Sequence, residues 1–165
     1  EEAKEWANLL KAELSKRNVH VEVLNICESR YLKCDFFYAV FEAMKGLAER
    51  FRRMTNCDRD TQSLYDHIFG DTRRGRPIPI LAFNDMKTKT QQDEHYGIVS
   101  ILRGLSMAFR NPEAHEPEQY WSITKDEALD IMTMVSYIHK RLDKAIDIRQ
   151  FQTEEQILKS RISKN

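Results

Sequence analysis

An arginine and a histidine five positions apart, Arg110 and His115, are the residues of this chain best suited to chemistry. Arginine is a permanent, planar, bidentate binder of phosphate oxygens. Histidine gives or takes a proton near neutral pH. Together they suit metal-independent cleavage of an RNA phosphodiester. A base removes the ribose 2′-hydroxyl proton, the arginine steadies the charge on phosphorus, and an acid protonates the leaving oxygen.

The intervening residues decide whether the two side chains can meet. In one unbroken helix, residues five apart point about 140° away from each other. The run is Arg110-Asn111-Pro112-Glu113-Ala114-His115-Glu116. Pro112 disfavours helical geometry at Asn111. Asn followed by Pro and an acid is also the order that opens a helix. A long helix is therefore expected to end near Arg110 and a fresh turn to begin at Asn111, which frees both side chains to converge. The pair by itself is a weak signal. With 14 Arg and 5 His in 165 residues, chance supplies about 0.4 such pairs. The competing structural explanation is an arginine capping a helix C-terminus and a histidine in a surface turn.

Other reactive side chains carry less. Asp93, Glu94 and His95 cluster, and Asp66-His67 lie upstream, but no paired ligand spacing such as His-x3-His is present, so no metal site is assigned. His139 falls on an apolar stripe and is expected to be a core histidine. Ser136 and Tyr137 have no recognisable partner. Two basic runs, Arg50, Arg52, Arg53 and Arg73, Arg74, Arg76, are ordinarily solvated surface; if RNA is the substrate they are the candidates for contacts to its backbone. Cys27, Cys34 and Cys57 are odd in number and form no C-x-x-C pair, as expected of reduced thiols in a cytoplasm, with Cys27 and Cys34 as core fillers.

The elements that must position these residues are helices. The chain has 165 residues, a one-domain length, and its few glycines (5) and prolines (4) argue against a sandwich or barrel rich in tight turns. Lys+Arg and Asp+Glu are 26 each, so the net charge is zero; this excludes a broadly basic nucleic-acid coat but not a local basic site. No apolar run approaches the roughly 20 residues of a membrane span, and no signal peptide is apparent. Beginning at Glu1 rather than Met, the chain is compatible with a piece of something longer.

Helical spacing is expected over residues 3–17 (Trp6, Leu10, Leu14), and a short helix within Val19–Ile26. The clearest stripe is Phe37, Phe41, Met44, Leu47, Ala48 and Phe51, which predicts a helix from about Asp35 to Met54. A shorter helix is expected from about Asp60 to Phe69, then a basic loop over Gly70–Pro79 and an extended segment at Ile78–Phe83. Thr90 with Asp93 predicts the start of a helix running from about Gln91 to Arg110. Thr124 with Glu127 forms a capping box for a last helix whose stripe is Ala128, Met132, Val135, His139, Leu142 and Ile146. The fold class is thus all-α, a bundle of four main helices plus an extra N-terminal helix. The divisions are an N-terminal helix in 1–18, a helical domain over 19–148, and a polar C-terminal tail or helix over 149–165.

Gly97, Gly104 and Ala108 share one face of the predicted 91–110 helix. Each helical Gly costs roughly 1 kcal/mol relative to Ala, so two on one face imply close approach there. That approach is either tight packing inside the bundle or contact with a second protomer.

Several stretches resemble a known family. Arg110 to His115 is similar to the R-x4-6-H motif of the HEPN superfamily, small helical proteins that include many metal-independent RNases. More closely, the chain resembles the Ymh-type bacterial family within that superfamily. The resemblance rests on Tyr38-Ala39-Val40-Phe41-Glu42-Ala43, Asn84-Asp85, Asp93-Glu94, Gly97, Gly104, Arg110 to Glu116, Ala128-Leu129 to Ser136, and Arg141-Leu142-Asp143, in order across residues 20–147. It implies a HEPN-like helical bundle, usually a homodimer, with two Arg–His segments facing one cleft, so that acid and base are different histidines. It assigns Arg110 to the transition state, His115 to proton transfer and Asn111 to positioning, and it gives the Gly97, Gly104 and Ala108 face a use at the dimer interface. Members often act as toxins in toxin–antitoxin modules or as anti-phage defence effectors. Pro117 stands where toxins silenced by nucleotidyl transfer carry a tyrosine, and Tyr120 is the nearest one, so that control is not expected.

The expected function is therefore a metal-independent endoribonuclease that needs no cofactor, cytoplasmic and not in a membrane. Its partners would be RNA, a second copy of itself and an antitoxin or regulatory domain. The alternatives are a non-catalytic HEPN module binding nucleotide or RNA, or dimerising, within a larger regulatory protein, and a plain helical interaction protein.

Overall fold

The apolar stripe of the second long helix is the strongest organising feature of the chain, and it folds as its spacing requires. The computed structural model describes residues 2–27, 35–70, 79–110 and 122–148, with side chains from residue 4 onward. The described elements are α1 (Glu2–Lys16), α2 (Val21–Ile26), α3 (Phe36–Thr55), α4 (Thr61–Phe69), β1 (Leu81–Ala82), α5 (Lys89–Leu105), a π-wound turn (Ser106–Arg110), α6 (Lys125–Leu142) and β2 (Ile146–Asp147). Helices dominate, and among the described residues the only sheet is the β1–β2 pair. No described helix is long and apolar enough to cross a membrane. The expected basic loop at Arg73, Arg74 and Arg76, Cys34, and the tail over 149–165 lie outside the described residues.

The chain divides into two units. One, Glu1–Phe51 with Gly104–Asp143, holds α1, α2, most of α3, the π turn and α6. Leu10 and Leu14 of α1, Val23 of α2, Val40, Met44, Leu47 and Phe51 of α3, and Met132, Val135 and Ile138 of α6 are buried in it. Each such side chain contributes about 1.5–3 kcal/mol of burial free energy. Phe41, expected on the α3 stripe, is only half-buried, because the buried face centres on Val40 and Ala43. Helix α1 ends with Asn18 at φ 51°, a left-handed conformation that asparagine tolerates, and the Val19 N–H returns to the Leu14 carbonyl at 3.3 Å.

The other unit, Arg52–Arg103 with Lys144–Asn165, holds the last turn of α3, α4, β1, α5 as far as Arg103, and β2. Asp60 is the N-cap of α4, and Gly70 closes it at φ 48°, where a Cβ would be strained. The core is aromatic: Phe69 stacks on Phe83 with ring centroids 5.3 Å apart, and His95 lies edge-on to Tyr96 at 5.0 Å. β1 and β2 pair antiparallel, Leu81 with Asp147 and Ala82 with Ile146. Ile146 therefore leaves the stripe on which helical spacing placed it: α6 stops at Leu142 and Ile146 pairs in the sheet instead.

Two helix starts test the capping chemistry. At α6 the Thr124–Glu127 box forms as expected: Thr124 Oγ1 accepts the Glu127 N–H at 3.3 Å, and Glu127 Oε2 accepts the Thr124 N–H at 2.9 Å. At α5 the start moves two residues upstream. Thr88 Oγ1 accepts the Gln91 N–H at 3.2 Å, while Gln91 Oε1 accepts the N–H groups of Lys87 and Thr88 at 3.0 Å each. Thr90 lies inside the first turn, and Asp93 pairs with Lys89 at 2.8 Å. The same Thr-x-x-acceptor spacing occurs twice, and a glutamine at the third position reaches back without a charge.

Candidate functional site

Arg110 is half-buried and lies in the π-wound turn Ser106–Arg110 that continues α5. The expected break after Arg110 lies outside the described residues. The winding before it was not expected: α5 proper closes at Leu105, and Ser106–Arg110 turns more widely. Such π turns are rare and frequently occur at functional sites. Asn111 and His115 lie outside the described residues, as do Pro117 and Tyr120.

The arginines expected to contact an RNA backbone are placed differently from one another. Arg50 is not presented to solvent. Its side chain is 14% exposed, and its guanidinium donates from Nη1 to His139 Nδ1 at 3.1 Å and to the His139 carbonyl at 3.0 Å, and from Nη2 to Asp143. With its guanidinium held by three acceptors, Arg50 serves as an internal tie. Arg52 donates to the Arg59 carbonyl from Nε and Nη2, at 3.2 Å each, and Arg53 is exposed.

This tie belongs to a polar junction that sequence spacing did not reveal. His20, between α1 and α2, donates its backbone N–H to Ser136 Oγ of α6 at 2.7 Å. Its ring Nδ1 accepts the Glu22 N–H at 3.1 Å and so caps α2. That acceptor role puts the proton on Nε2, which lies 3.0 Å from Asp143 Oδ2. The His20 and His139 rings stack at 5.1 Å, only 10° from parallel. His139 is fully buried, as its place on the apolar stripe implied, and because arginine cannot accept, its Nδ1 is the acceptor for Arg50. The Arg50 hydrogen bond holds the Asp143 carboxyl below the ordinary aspartate value. Both His20 ring nitrogens are engaged, and the junction joins α1–α2, α3 and α6. The signal for it was faint: Ser136, His139 and the C-cap Asp143 recur at helical steps of three and four, but their partners are 89 or more positions away.

The small-residue face is open. Gly97, Gly104 and Ala108 are exposed, and a Cβ at Gly97 or Gly104 would meet nothing within 4 Å among the described residues. Among the described residues, nothing packs closely against these two glycines. Ile101 and Met107 are exposed too, at 45% and 61%.

The acidic residues near α5 are built into the loop before it. Asn84 Nδ2 donates to Glu94 Oε2 at 2.7 Å and to the Gln91 carbonyl at 2.8 Å, and Gln91 Nε2 donates to Asp85 at 3.0 Å. His95 is buried, its Nδ1 accepting the Phe83 N–H at 3.3 Å. Among the described residues no group of three or more His, Cys, Asp or Glu is placed to hold a metal ion. Burial pushes the Cys27 thiol up to about 11, as suits a core filler.

These elements define a mainly helical protein with an arginine in a π-wound turn. The chain belongs to the Hypoth_Ymh family, described as a protein of unknown function, which matches residues 17–142. No curated protein and no solved structure matches it.

Proposed function

We propose that the protein is a metal-independent endoribonuclease of the HEPN type, a toxin or anti-phage defence effector that works as a homodimer. Arg110 binds the phosphate and stabilises the charge that develops on it, Asn111 helps to position that group, and His115 transfers protons. One His115 takes the ribose 2′-hydroxyl proton, and the 2′-oxygen attacks phosphorus. The P–O5′ bond breaks, and the second protomer's histidine protonates the departing 5′-oxygen. The products are a 2′,3′-cyclic phosphate and a 5′-hydroxyl.

The observation that carries this reading is the half-buried Arg110 at the end of a π-wound turn, immediately before Asn111-Pro112. It supports a built position for the arginine. The HEPN-like order of motifs in the sequence and the open face at Gly97, Gly104 and Ala108 support it further. Contacts to RNA beyond the scissile phosphate fall to Arg52, Arg53, Arg73, Arg74 and Arg76, since Arg50 is held internally.

The test is incubation with end-labelled RNA in excess chelator. Cleavage leaving cyclic phosphate ends, lost in Arg110→Ala and in His115→Ala, is the expected result. RNA or nucleotide binding without cleavage would instead indicate a non-catalytic module.

A further inference from the structure

The His20 ring joins two partners that make opposite demands on its charge. Its Nδ1 caps α2 by accepting the Glu22 N–H at 3.1 Å, which only an unprotonated nitrogen can do. Its Nε2 faces the Asp143 carboxylate at 3.0 Å, a contact that strengthens when the ring is charged. An imidazole changes charge in the physiological range, and the side chain is 13% exposed, so protons reach it.

We propose that His20 is a proton-operated switch at the joint between α1 and α2. Neutral, it caps α2 and ties to Asp143. Charged, it carries a proton on Nδ1, loses the Glu22 N–H and releases the first turn of α2, while the tie to Asp143 on α6 holds. The groups around the ring fix this direction. From α3, Arg50 is a permanent cation that already shares the Asp143 carboxylate. From α6, His139 stacks on the ring but is committed as acceptor to Arg50, and Lys140 is bound to the Asn18 carbonyl at 2.6 Å. On the α1 side, Arg17 pairs with Asp130 at 2.8 Å. The backbone N–H of His20 stays on Ser136 Oγ in either state, so residue 20 remains anchored and the change falls on α2. Beside this cap, the first turn of α2 is held by the Val23 and Leu24 N–H groups on the His20 carbonyl, at 3.0 and 3.2 Å.

The test is amide hydrogen exchange of the full chain at pH 8 and pH 5.5, corrected for the intrinsic pH dependence of exchange. Protection at Glu22 is expected to fall about fivefold on acidification, the size of one lost N-cap, with protection in α6 unchanged. In His20→Asn, which can cap but not titrate, Glu22 protection should be the same at both pH values. Nitrogen-15 spectra of the wild-type ring should show the proton on Nε2 at pH 8, a readout that needs no variant. Glu22 protection equal at the two pH values, the same fall in His20→Asn, or a proton on Nδ1 at pH 8 would each overturn the proposal.

Discussion

Replacing Arg50 with alanine tests the polar junction at its hub. The guanidinium makes three hydrogen bonds, two of them to the nitrogen and carbonyl of His139, which is fully buried. Hydrogen bonds to charged groups contribute about 1.5–3 kcal/mol when buried. The part owed to Asp143 is smaller, because that carboxylate is 46% exposed and screened by water. Loss of the buried stem adds to the cost. The expected loss is therefore about 2–4 kcal/mol at pH 7, read as a lower urea midpoint with an unchanged slope. Arg17→Ala is the control: the Arg17–Asp130 pair is just as short at 2.8 Å, but its side chains are 37% and 72% exposed, so it should cost no more than about 1 kcal/mol. The two variants should also differ in their pH dependence. Asp143 ionises below its ordinary 3.8 in the folded chain, so its contribution is complete above that value and is lost as pH falls through the lower folded one. The gap between wild type and Arg50→Ala should accordingly narrow below about pH 4. Equal costs for the two variants, or an Arg50→Ala loss below about 1 kcal/mol, would refute this account of the junction.

Three further outcomes follow from other parts of the chain. Thr88→Ala should cost about 1 kcal/mol, the value of a helix cap, and Thr90→Ala less than about 0.5 kcal/mol; equal thermal shifts would show that the cap is misassigned. Gly97→Ala should stabilise the chain by up to about 1 kcal/mol, since helix propensity rises and the new Cβ meets no described residue within 4 Å, and by sedimentation it should weaken self-association if that face meets a second copy. In a Cys34→Ser, Cys57→Ser background, Cys27 should resist a thiol reagent at pH 8 until the chain unfolds, because its thiol is buried and raised to about 11; rapid labelling of the native protein would contradict this.

The helices were legible because their information is local. The α3 stripe, the short α2 and the Asp60 and Thr124 starts are written in neighbouring residues. The Thr88 start was displaced because two threonines two positions apart offer competing caps, and only the Gln91 side chain decides between them. Ile146 was misplaced because helical phase continues on paper past Asp143, whereas pairing with β1 is set by residues far upstream. The junction escaped for the same reason, since His20, Arg50 and Asp143 meet only once three helices have packed. Arg50 looked like surface because an arginine on a charged face gives no sign that a buried acceptor awaits it. For the candidate site, sequence named the residues, and the structure added the π-wound turn that carries Arg110.

The central claim is that Arg110 and His115 cleave RNA through the 2′-hydroxyl. Product-end analysis of labelled RNA treated with the purified chain in chelator tests it most directly. The account predicts 2′,3′-cyclic phosphate and 5′-hydroxyl ends, with His115→Ala and Arg110→Ala folded but inactive. Intact RNA, or cleavage that persists in His115→Ala, would contradict it.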